Sequence, residues 1–265
     1  MTIIRSPSPF VQAKVDGVIG WLILNRPERK NALNGDMWGA IPPLLDALVK
    51  QPGVKVIVLR GVNAEAFAAG ADISEFASSR FNAEAAQAYE QMNTHAMAAI
   101  RTCALPTIAL IQGFCVGGGV SLALSCDLRF SDASGIFALP PARLGLAYPM
   151  AGIRDLLATV SPPIAKEMIY TARRLNAAEA AQAGLINAVA DDVEAHVRQI
   201  AASIADNAPL TIRASKAAID HAAGRLGAPS LVEVAELTTA CFNSDDYREG
   251  QAAFLEKRKP RFTGR

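Results

Sequence analysis

The chain has no long hydrophobic run and no excess of charge of one sign. Its apolar stretches are much shorter than the roughly 20 residues that a membrane-spanning helix needs. Its 26 lysines and arginines nearly balance 25 aspartates and glutamates, for a net charge of +1. Such a balance produces no field that attracts nucleic acid. We therefore expect neither membrane nor nucleic-acid partners, and any anionic ligand must be bound by local groups.

Cysteine and histidine are also scarce. The four cysteines have no C-x-x-C spacing and lie in apolar stretches, which predicts buried, reduced thiols. The three histidines, His95, His196 and His221, lie far apart without an H-x-x-x-H pair, so we predict no metal site. The first residues lack the apolar stretch of a secretion signal, and we expect a cytoplasmic protein.

The order of the hydrophobic patterns predicts an α/β fold. Strand-like and helical patterns alternate over the first 150 residues, and helical patterns dominate afterwards. Asp16-Gly17 between two apolar runs predicts a β-hairpin. An apolar stripe starting at Trp38 predicts a helix, which Pro42 and Pro43 are expected to interrupt and restart. Asn176 with Glu179 is typical of a capping box at a helix start.

Three consecutive glycines, Gly117 to Gly119, follow the apolar run 106–111 and open a helical pattern. A helix start leaves backbone N–H groups unpaired, and its dipole favours negative charge there. The spacing does not fit a dinucleotide fingerprint, a P-loop or a nucleophile elbow. The glycines therefore either donate backbone hydrogen bonds to an anion or only allow two backbones to pack closely. Both interpretations remain open from this stretch alone.

A second loop of small residues, Glu65 to Phe76, also follows a predicted strand. With both loops placed, the chain resembles the crotonase family of enoyl-CoA hydratases and isomerases. The motifs that carry the resemblance are Leu24–Leu33, Phe67–Ile73, Gly117–Gly119 and Phe254–Pro260.

The resemblance implies a spiral core of ββα turns with the acyl-CoA site over residues 1–195. A C-terminal helical region over residues 196–265 would belong to the same functional unit and mediate trimerisation. The partners implied are an acyl-CoA thioester and further copies of the chain, as a homotrimer or a dimer of trimers. No separate cofactor is implied, because coenzyme A is part of the substrate.

The resemblance also assigns roles to residues. The backbone N–H groups of Ala71 and Gly118 would hold the thioester oxygen, an interaction typically worth roughly 3–4 kcal/mol in the transition state. The coenzyme A moiety would be bound by Lys30, by the backbone of Ala69, Gly70, Asp72 and Ile73, and by Phe254 and Lys257 of a neighbouring subunit. Without the resemblance, both lysines would be interpreted as ordinary solvated cations.

The chain departs from the family at the two glutamates with which its hydratases activate water. Ser121 and Pro141 occupy those positions. A serine hydroxyl is a poor base and proline has no functional side chain, so both acid/base groups are missing. Glu75 and Asp155 are candidate replacements, although a surface or ion-paired role is the favoured interpretation for both.

The segment Leu144–Leu156 resembles the corresponding loop of methylmalonyl-CoA decarboxylases, where a tyrosine at the position of Tyr148 orients the substrate carboxylate. The tail Asp245–Pro260 is similar to theirs, but Ala71 and Ser121 differ from the histidine and glutamate of that group. Our first hypothesis is therefore an acyl-CoA lyase that decarboxylates a malonyl-type thioester. The alternatives are a hydratase or isomerase of fatty-acid metabolism with a non-standard acid/base residue, and a non-catalytic acyl-CoA-binding scaffold. Tyr148 could also only cap the core.

Overall fold

The computed structural model describes residues 1–75 and 82–265, so Phe76 of the second small-residue loop lies outside the described part. The strands are β1 Thr2–Ile4, β2 Val11–Asp16, β3 Ile19–Leu24, β4 Val56–Gly61, β5 Ala66–Ala68, β6 Thr107–Ile111, β7 Phe114–Val116, β8 Leu128–Ser131, β9 Ile136–Ala138, β10 Leu175–Asn176 and β11 Ala188–Val189. They form a seven-stranded sheet in the order β1-β2-β3-β4-β6-β8-β11 and a four-stranded sheet in the order β10-β9-β7-β5.

The helices follow the strands along the chain. They are α1 Gly35–Val49, α2 Ala83–Arg101, α3 Gly118–Ser125, α4 Met150–Leu157, α5 Pro162–Thr171, α6 Ala177–Gln182, α7 Val193–Ala205, α8 Pro209–Ala222, α9 Leu231–Phe242 and α10 Asp245–Leu255. Short 3₁₀ helices span Pro27–Arg29, Ile73–Glu75 and Pro141–Leu144. Within the described ranges, no helix combines the length and apolar character needed to cross a membrane.

Successive turns of the chain repeat one pattern. Strands β4, β6 and β8 are parallel neighbours in the large sheet, while β5, β7 and β9 are parallel neighbours in the small one. Each turn therefore adds one strand to each sheet, and a helix follows the first two of these turns. This is the predicted ββα spiral with a helical C-terminal region.

Local sequence signals account for much of this architecture. The Asp16-Gly17 hairpin is confirmed, with β2 and β3 antiparallel and Gly17 at a φ of +59°. The capping box of Asn176 and Glu179 is confirmed at the start of α6. Cys103, Cys115 and Cys126 are buried free thiols, as predicted, while Cys241 is partly exposed.

The predicted interruption of the first helix is wrong. Helix α1 runs without a break through Pro42 and Pro43. Proline removes an amide donor and normally costs a helix interior about 3 kcal/mol. Here the same helix buries a stripe that includes Trp38, Ile41 and Leu44, and this packing outweighs the lost hydrogen bonds.

The large sheet is covered on both faces. Trp21, Val56 and Ile108 pack on one face against Val193 and Val197 of α7. The other face packs into the larger of two hydrophobic core clusters, which includes residues of α1, α2 and α3. The predicted domain boundary at residue 195/196 therefore falls inside α7, whose buried face belongs to the core. A boundary after α7 fits the packing better.

Candidate active site

The two small-residue loops meet in the structure. Gly70 has a φ of +108°, and a Cβ there would lie 3.2 Å from the carbonyl oxygen of Val116. A Cβ on Gly118 would lie 3.4 Å from the amide nitrogen of Ala71 and 3.5 Å from the Trp38 ring. The structure thus brings together the two positions, Ala71 and Gly118, to which an oxyanion hole was assigned.

The surrounding backbone leaves both amides unpaired within the described residues. Hydrogen bonds on either side of Ala71, from the Leu33 amide to Gly70 O (2.7 Å) and from the Asp72 amide to Leu33 O (2.9 Å), hold the loop. Gly118 is the first residue of α3. Among the described residues, no acceptor pairs with the amide of Ala71 or Gly118. An incoming carbonyl oxygen therefore displaces no internal hydrogen bond.

The glycine triplet allows two backbones to pack closely, one of the two interpretations that the sequence left open. Gly117 has a φ of +52°, which turns the chain sharply into α3. A Cβ on Gly119 would collide with the carbonyl oxygen of Ala68. Gly119 therefore permits close backbone packing, while Gly118 leaves its amide beside Ala71.

A buried side-chain amide that the sequence analysis missed fixes the loop that begins at Glu65. Asn31 is 0% exposed, and its Nδ2 donates to the carbonyl oxygens of Ala66 (2.8 Å) and Phe67 (3.2 Å). Its Oδ1 accepts from the amide of Arg26 at 2.8 Å. Lys30 and Asn31 both have positive φ values, 51° and 54°. Those angles depend on tertiary contacts, and the polar composition of the turn gave no signal of them.

Asp72 stabilises the loop with its own side chain. Its carboxylate lies 2.6 Å from Arg26 Nη1 and accepts from the Ser74 amide at 3.0 Å and the Ser74 hydroxyl at 2.6 Å. Burial acts to raise the pKa of Asp72, but the hydrogen bonds from Ser74 and Arg26 outweigh it and hold the pKa below its usual value. The side chain is thus engaged within the protein, and so are the amides of Ala69, bonded to Lys30 O, and of Asp72.

We expect Asp72→Asn to lower the free energy of unfolding at pH 7 by about 1.5–3 kcal/mol, the range for hydrogen bonds to charged groups. A lowered folded-state pKa gives stability that is present above the unfolded pKa of about 4 and is lost as pH falls through the folded pKa. Urea unfolding at pH 7 and pH 3 should therefore show that the difference in unfolding free energy between the wild type and Asp72→Asn is smaller in acid. Asp191→Asn, at an exposed position, is the control; an equal difference at both pH values would contradict the role of the charge.

The predicted coenzyme A contacts are only partly brought together. Lys30 is half-exposed beside the loop that begins at Glu65, with its Nζ 3.5 Å from the Glu65 carboxylate and 4.5 Å from the centroid of the Phe114 ring. Phe254 is 83% exposed near the end of α10, and Lys257 follows it with a φ of 54°. Among the described residues, no hydrogen bond or ion pair joins Phe254 or Lys257 to the two loops. Ile73 is exposed directly after Asp72.

The hydroxyls of Ser121 and Tyr148 meet in the structure. The Ser121 hydroxyl, near the start of α3, is hydrogen-bonded to the Tyr148 hydroxyl. Gly152 lets the Tyr148 ring pack against α4, because a Cβ there would lie 2.6 Å from Cε1. Burial raises the pKa of Tyr148 above its usual value, although the hydrogen bond with Ser121 opposes this. Pro141 is buried at the start of its 3₁₀ helix.

Neither candidate replacement carboxylate is free. Asp155 lies 2.7 Å from Arg101 Nη1, and both side chains are almost fully buried, at 3% and 4% exposed. Burial raises the pKa of Asp155, while Arg101 acts to lower it. Glu75 accepts a hydrogen bond from the amide of Gly35 at 3.1 Å. The ion-paired interpretation of Asp155 is therefore confirmed.

Comparison with known proteins decides the family. A family model described as enoyl-CoA hydratase/isomerase matches residues 15–265. The chain belongs to this family. Its membership of the crotonase superfamily, predicted from the motifs, is confirmed, and it is an acyl-CoA enzyme of that family.

Relatives of this enoyl-CoA hydratase/isomerase family member match over nearly the whole chain. A probable mitochondrial enoyl-CoA hydratase 2 of Arabidopsis thaliana is 34% identical, over 98% of this chain and 87% of the plant protein. A crotonyl-CoA hydratase of Syntrophomonas wolfei is 34% identical, over 91% and 93% of the two chains. The crystal structure of an enoyl-CoA hydratase/carnithine racemase from Magnetospirillum magneticum matches with a TM-score of 0.91 at 37% identity, over 98% and 97%.

Proposed function

We propose that this family member binds an enoyl-CoA thioester and acts as a hydratase or isomerase, with the thioester oxygen between the amides of Ala71 and Gly118. The observation that carries the proposal is the pair of amides on adjacent loops, unpaired within the described residues. Negative charge develops on that oxygen as the enolate forms, and donors fixed in advance stabilise it without reorganisation. The names of the relatives favour this activity over decarboxylation.

The hydroxyls of Ser121 and Tyr148 would move the protons. In hydration, the oxygen of water bonds to the β-carbon, and one water proton passes to one hydroxyl of the pair. The pair shifts a proton along its hydrogen bond, and the other hydroxyl protonates the α-carbon. Both hydroxyls end neutral, so no residue has to ionise. We expect slower turnover than with a carboxylate base, because a hydroxyl attracts the water proton less strongly.

We expect Tyr148→Phe to lower kcat for crotonyl-CoA by about 100-fold, the lower end of general acid–base contributions. Product formation is measured by mass spectrometry. The exposed Tyr170 provides the control variant Tyr170→Phe. Because burial raises the pKa of Tyr148, its hydroxyl stays protonated and kcat should be flat from about pH 5 to pH 9. A fall in kcat below about pH 6 would instead reveal a carboxylate base such as Glu75.

Decarboxylation of a malonyl-type thioester is the second candidate. It is favoured by Ser121 and Pro141, which leave the positions of the family glutamates without a base. Loss of CO₂ generates the enolate directly, and the Tyr148 hydroxyl could hold the departing carboxylate. Incubation with methylmalonyl-CoA distinguishes the two activities. Formation of CO₂ and propionyl-CoA, without turnover of crotonyl-CoA, would show that decarboxylation is the activity and would refute the first proposal. Tight binding of both thioesters without turnover would indicate a non-catalytic scaffold.

We further propose that the chain forms trimers through its C-terminal helices. All twelve residues of α9 are at least partly exposed, and Leu231, Val232 and Phe242 present large apolar side chains. A neighbouring copy could then bring Phe254 and Lys257 to the coenzyme A site. We expect sedimentation of the protein as a trimer or hexamer, and Val232→Asp to release monomers that bind coenzyme A esters more weakly. A wild-type monomer with full affinity would refute this assembly. A cytoplasmic location remains a prediction.

A further inference from the structure

The end of helix α3 opposite the proposed oxyanion site is surrounded by three arginines, of which Arg101 and Arg129 are buried and Arg225 is partly exposed. Arg225 Nη2 donates to the carbonyl oxygen of Leu124 at 3.1 Å, and Arg129 Nη1 donates to that of Cys126 at 2.8 Å. Arg101 Nη1 lies 3.4 Å from the Ser125 hydroxyl. The last turn of α3 therefore points its carbonyl groups and a hydroxyl at three guanidinium groups from different parts of the chain.

Two of these arginines are neutralised by carboxylates. Arg101 is paired with Asp155. Arg225 lies 3.4 Å from Asp220 and 3.6 Å from Asp127, and Asp127 also binds Lys216 at 2.8 Å. Both groups of charges balance internally.

Arg129 is different. It is 8% exposed, and within the described residues no carboxylate lies within ion-pair distance of its guanidinium. Its polar contacts are carbonyl oxygens: Cys126 O, Leu185 O at 2.9 Å from Nε, and Asp127 O at 3.5 Å. Burial lowers the pKa of Arg129, yet arginine remains charged in proteins. Asp127 and Asp155 act on this charge only from beyond ion-pair distance. One positive charge without an ion-pair partner is thus buried at the C-terminal end of α3, where buried charges are normally paired.

We propose that Arg129 is a positioning residue that strengthens the oxyanion site from the far end of α3. This rests on the proposed binding of the thioester at Ala71 and Gly118. A cation at a helix C-terminus stabilises the aligned peptide dipoles, and its own field adds to the positive potential at the N-terminus. Eight residues of helix place the two ends about 12 Å apart. At an effective dielectric constant of about 20, one charge at that distance changes the stability of an oxyanion by a factor of about 5 to 10.

The test measures the polarisation of the bound thioester as well as the rate. In Arg129→Met we expect kcat to fall about 5- to 10-fold with little change in KM. The infrared stretching frequency of the thioester carbonyl in bound crotonyl-CoA should rise, because the bond is less polarised. Arg129→Lys keeps the charge and should restore most of the shift. Arg60→Met is the matched control, since Arg60 is also largely buried but packs against Trp21 on the other face of the large sheet.

A second variant, expected to change the carbonyl frequency and kcat in the opposite direction, keeps the test independent of folding defects. Asp220→Asn removes a negative charge beside Arg225, so it should lower the carbonyl frequency and raise kcat by about 2-fold. Folded Arg129→Met and Asp220→Asn proteins with the wild-type carbonyl frequency would overturn the proposal while leaving the proposed function intact. If the wild-type protein binds crotonyl-CoA with no shift of its carbonyl frequency from that in water, both proposals fail.

Discussion

Replacing Gly118 with proline is expected to lower kcat by about 10²- to 10³-fold, the effect of removing one oxyanion-hole donor elsewhere. Proline eliminates the amide hydrogen, which no other side chain can do. Gly118 is the first residue of α3, the one helical position at which proline is readily accepted. The fold should therefore survive, and the loss should appear in kcat more than in binding.

The matched control is Gly118→Ala, which adds a Cβ but keeps the N–H. That Cβ would lie 3.4 Å from the Ala71 nitrogen and 3.5 Å from the Trp38 ring, distances of ordinary van der Waals contact. The ratio of kcat between the proline and alanine variants therefore separates the effect of the hydrogen bond from that of the added bulk. Steady-state kinetics with the preferred thioester, together with circular dichroism, makes the measurement. Equal rates in two folded variants would show that the Gly118 amide does not hold the reacting oxygen.

Asp155→Ala is expected to lower the free energy of unfolding by about 3–5 kcal/mol, because it leaves the Arg101 guanidinium buried without its partner. The guanidinium has few alternatives: its Nη1 reaches Ser125, and its Nε has no hydrogen-bond acceptor among the described residues. Denaturant unfolding measures the loss.

The double variant Arg101→Met/Asp155→Leu tests whether the unpaired guanidinium causes the loss of stability in Asp155→Ala. Replacing both charges with apolar groups removes the desolvation cost of the pair, so its stability should lie much closer to that of the wild type. Its remaining activity also decides whether Asp155 takes part in catalysis, since a protein that keeps its kcat without Asp155 has no use for it as a base. A double variant as unstable as Asp155→Ala would contradict this account of the ion pair.

Local sequence signals predicted individual elements and the α/β class, because these follow local rules, whereas the ββα spiral was implied by the resemblance to the crotonase family. The Asp16-Gly17 turn and the Asn176 capping box are determined by residues only a few positions apart. The prolines of α1 show the limit of such rules, since long-range packing decides whether a helix tolerates them. Burial of the Asn31 side chain likewise depends on strand β5, which lies more than thirty residues further along the chain.

The site was predictable to different degrees. The glycine loops give a backbone signal, and their convergence follows from strands that end at the same edge. The hydrogen bond between Ser121 and Tyr148 joins residues 27 positions apart. From the sequence, Ser121 was interpreted only as the replacement of a family glutamate, and Tyr148 only as a substrate contact or a cap of the core. The lack of an ion-pair partner for Arg129 could not be predicted from the sequence, because it depends on where the fold places the carboxylates.

The proposed function, with an oxyanion site of two amides and a pair of hydroxyls that moves protons, separates two parts of catalysis. Stabilising the enolate requires only backbone amides, whereas moving protons requires side chains suited to the reaction. The family fold fixes the first part, and residues 121, 141 and 148 are free to change the second. Under this proposal, the hydroxyl pair of Ser121 and Tyr148 determines the reaction more than the fold does.

A crystal structure with a slowly reacting enoyl-CoA analogue tests the central claim most directly. The account predicts a thioester oxygen at about 2.7–3.1 Å from the amide nitrogens of both Ala71 and Gly118, with the α-carbon facing the Ser121 and Tyr148 hydroxyls. A thioester bound with its oxygen outside hydrogen-bonding distance of these two amides would contradict it.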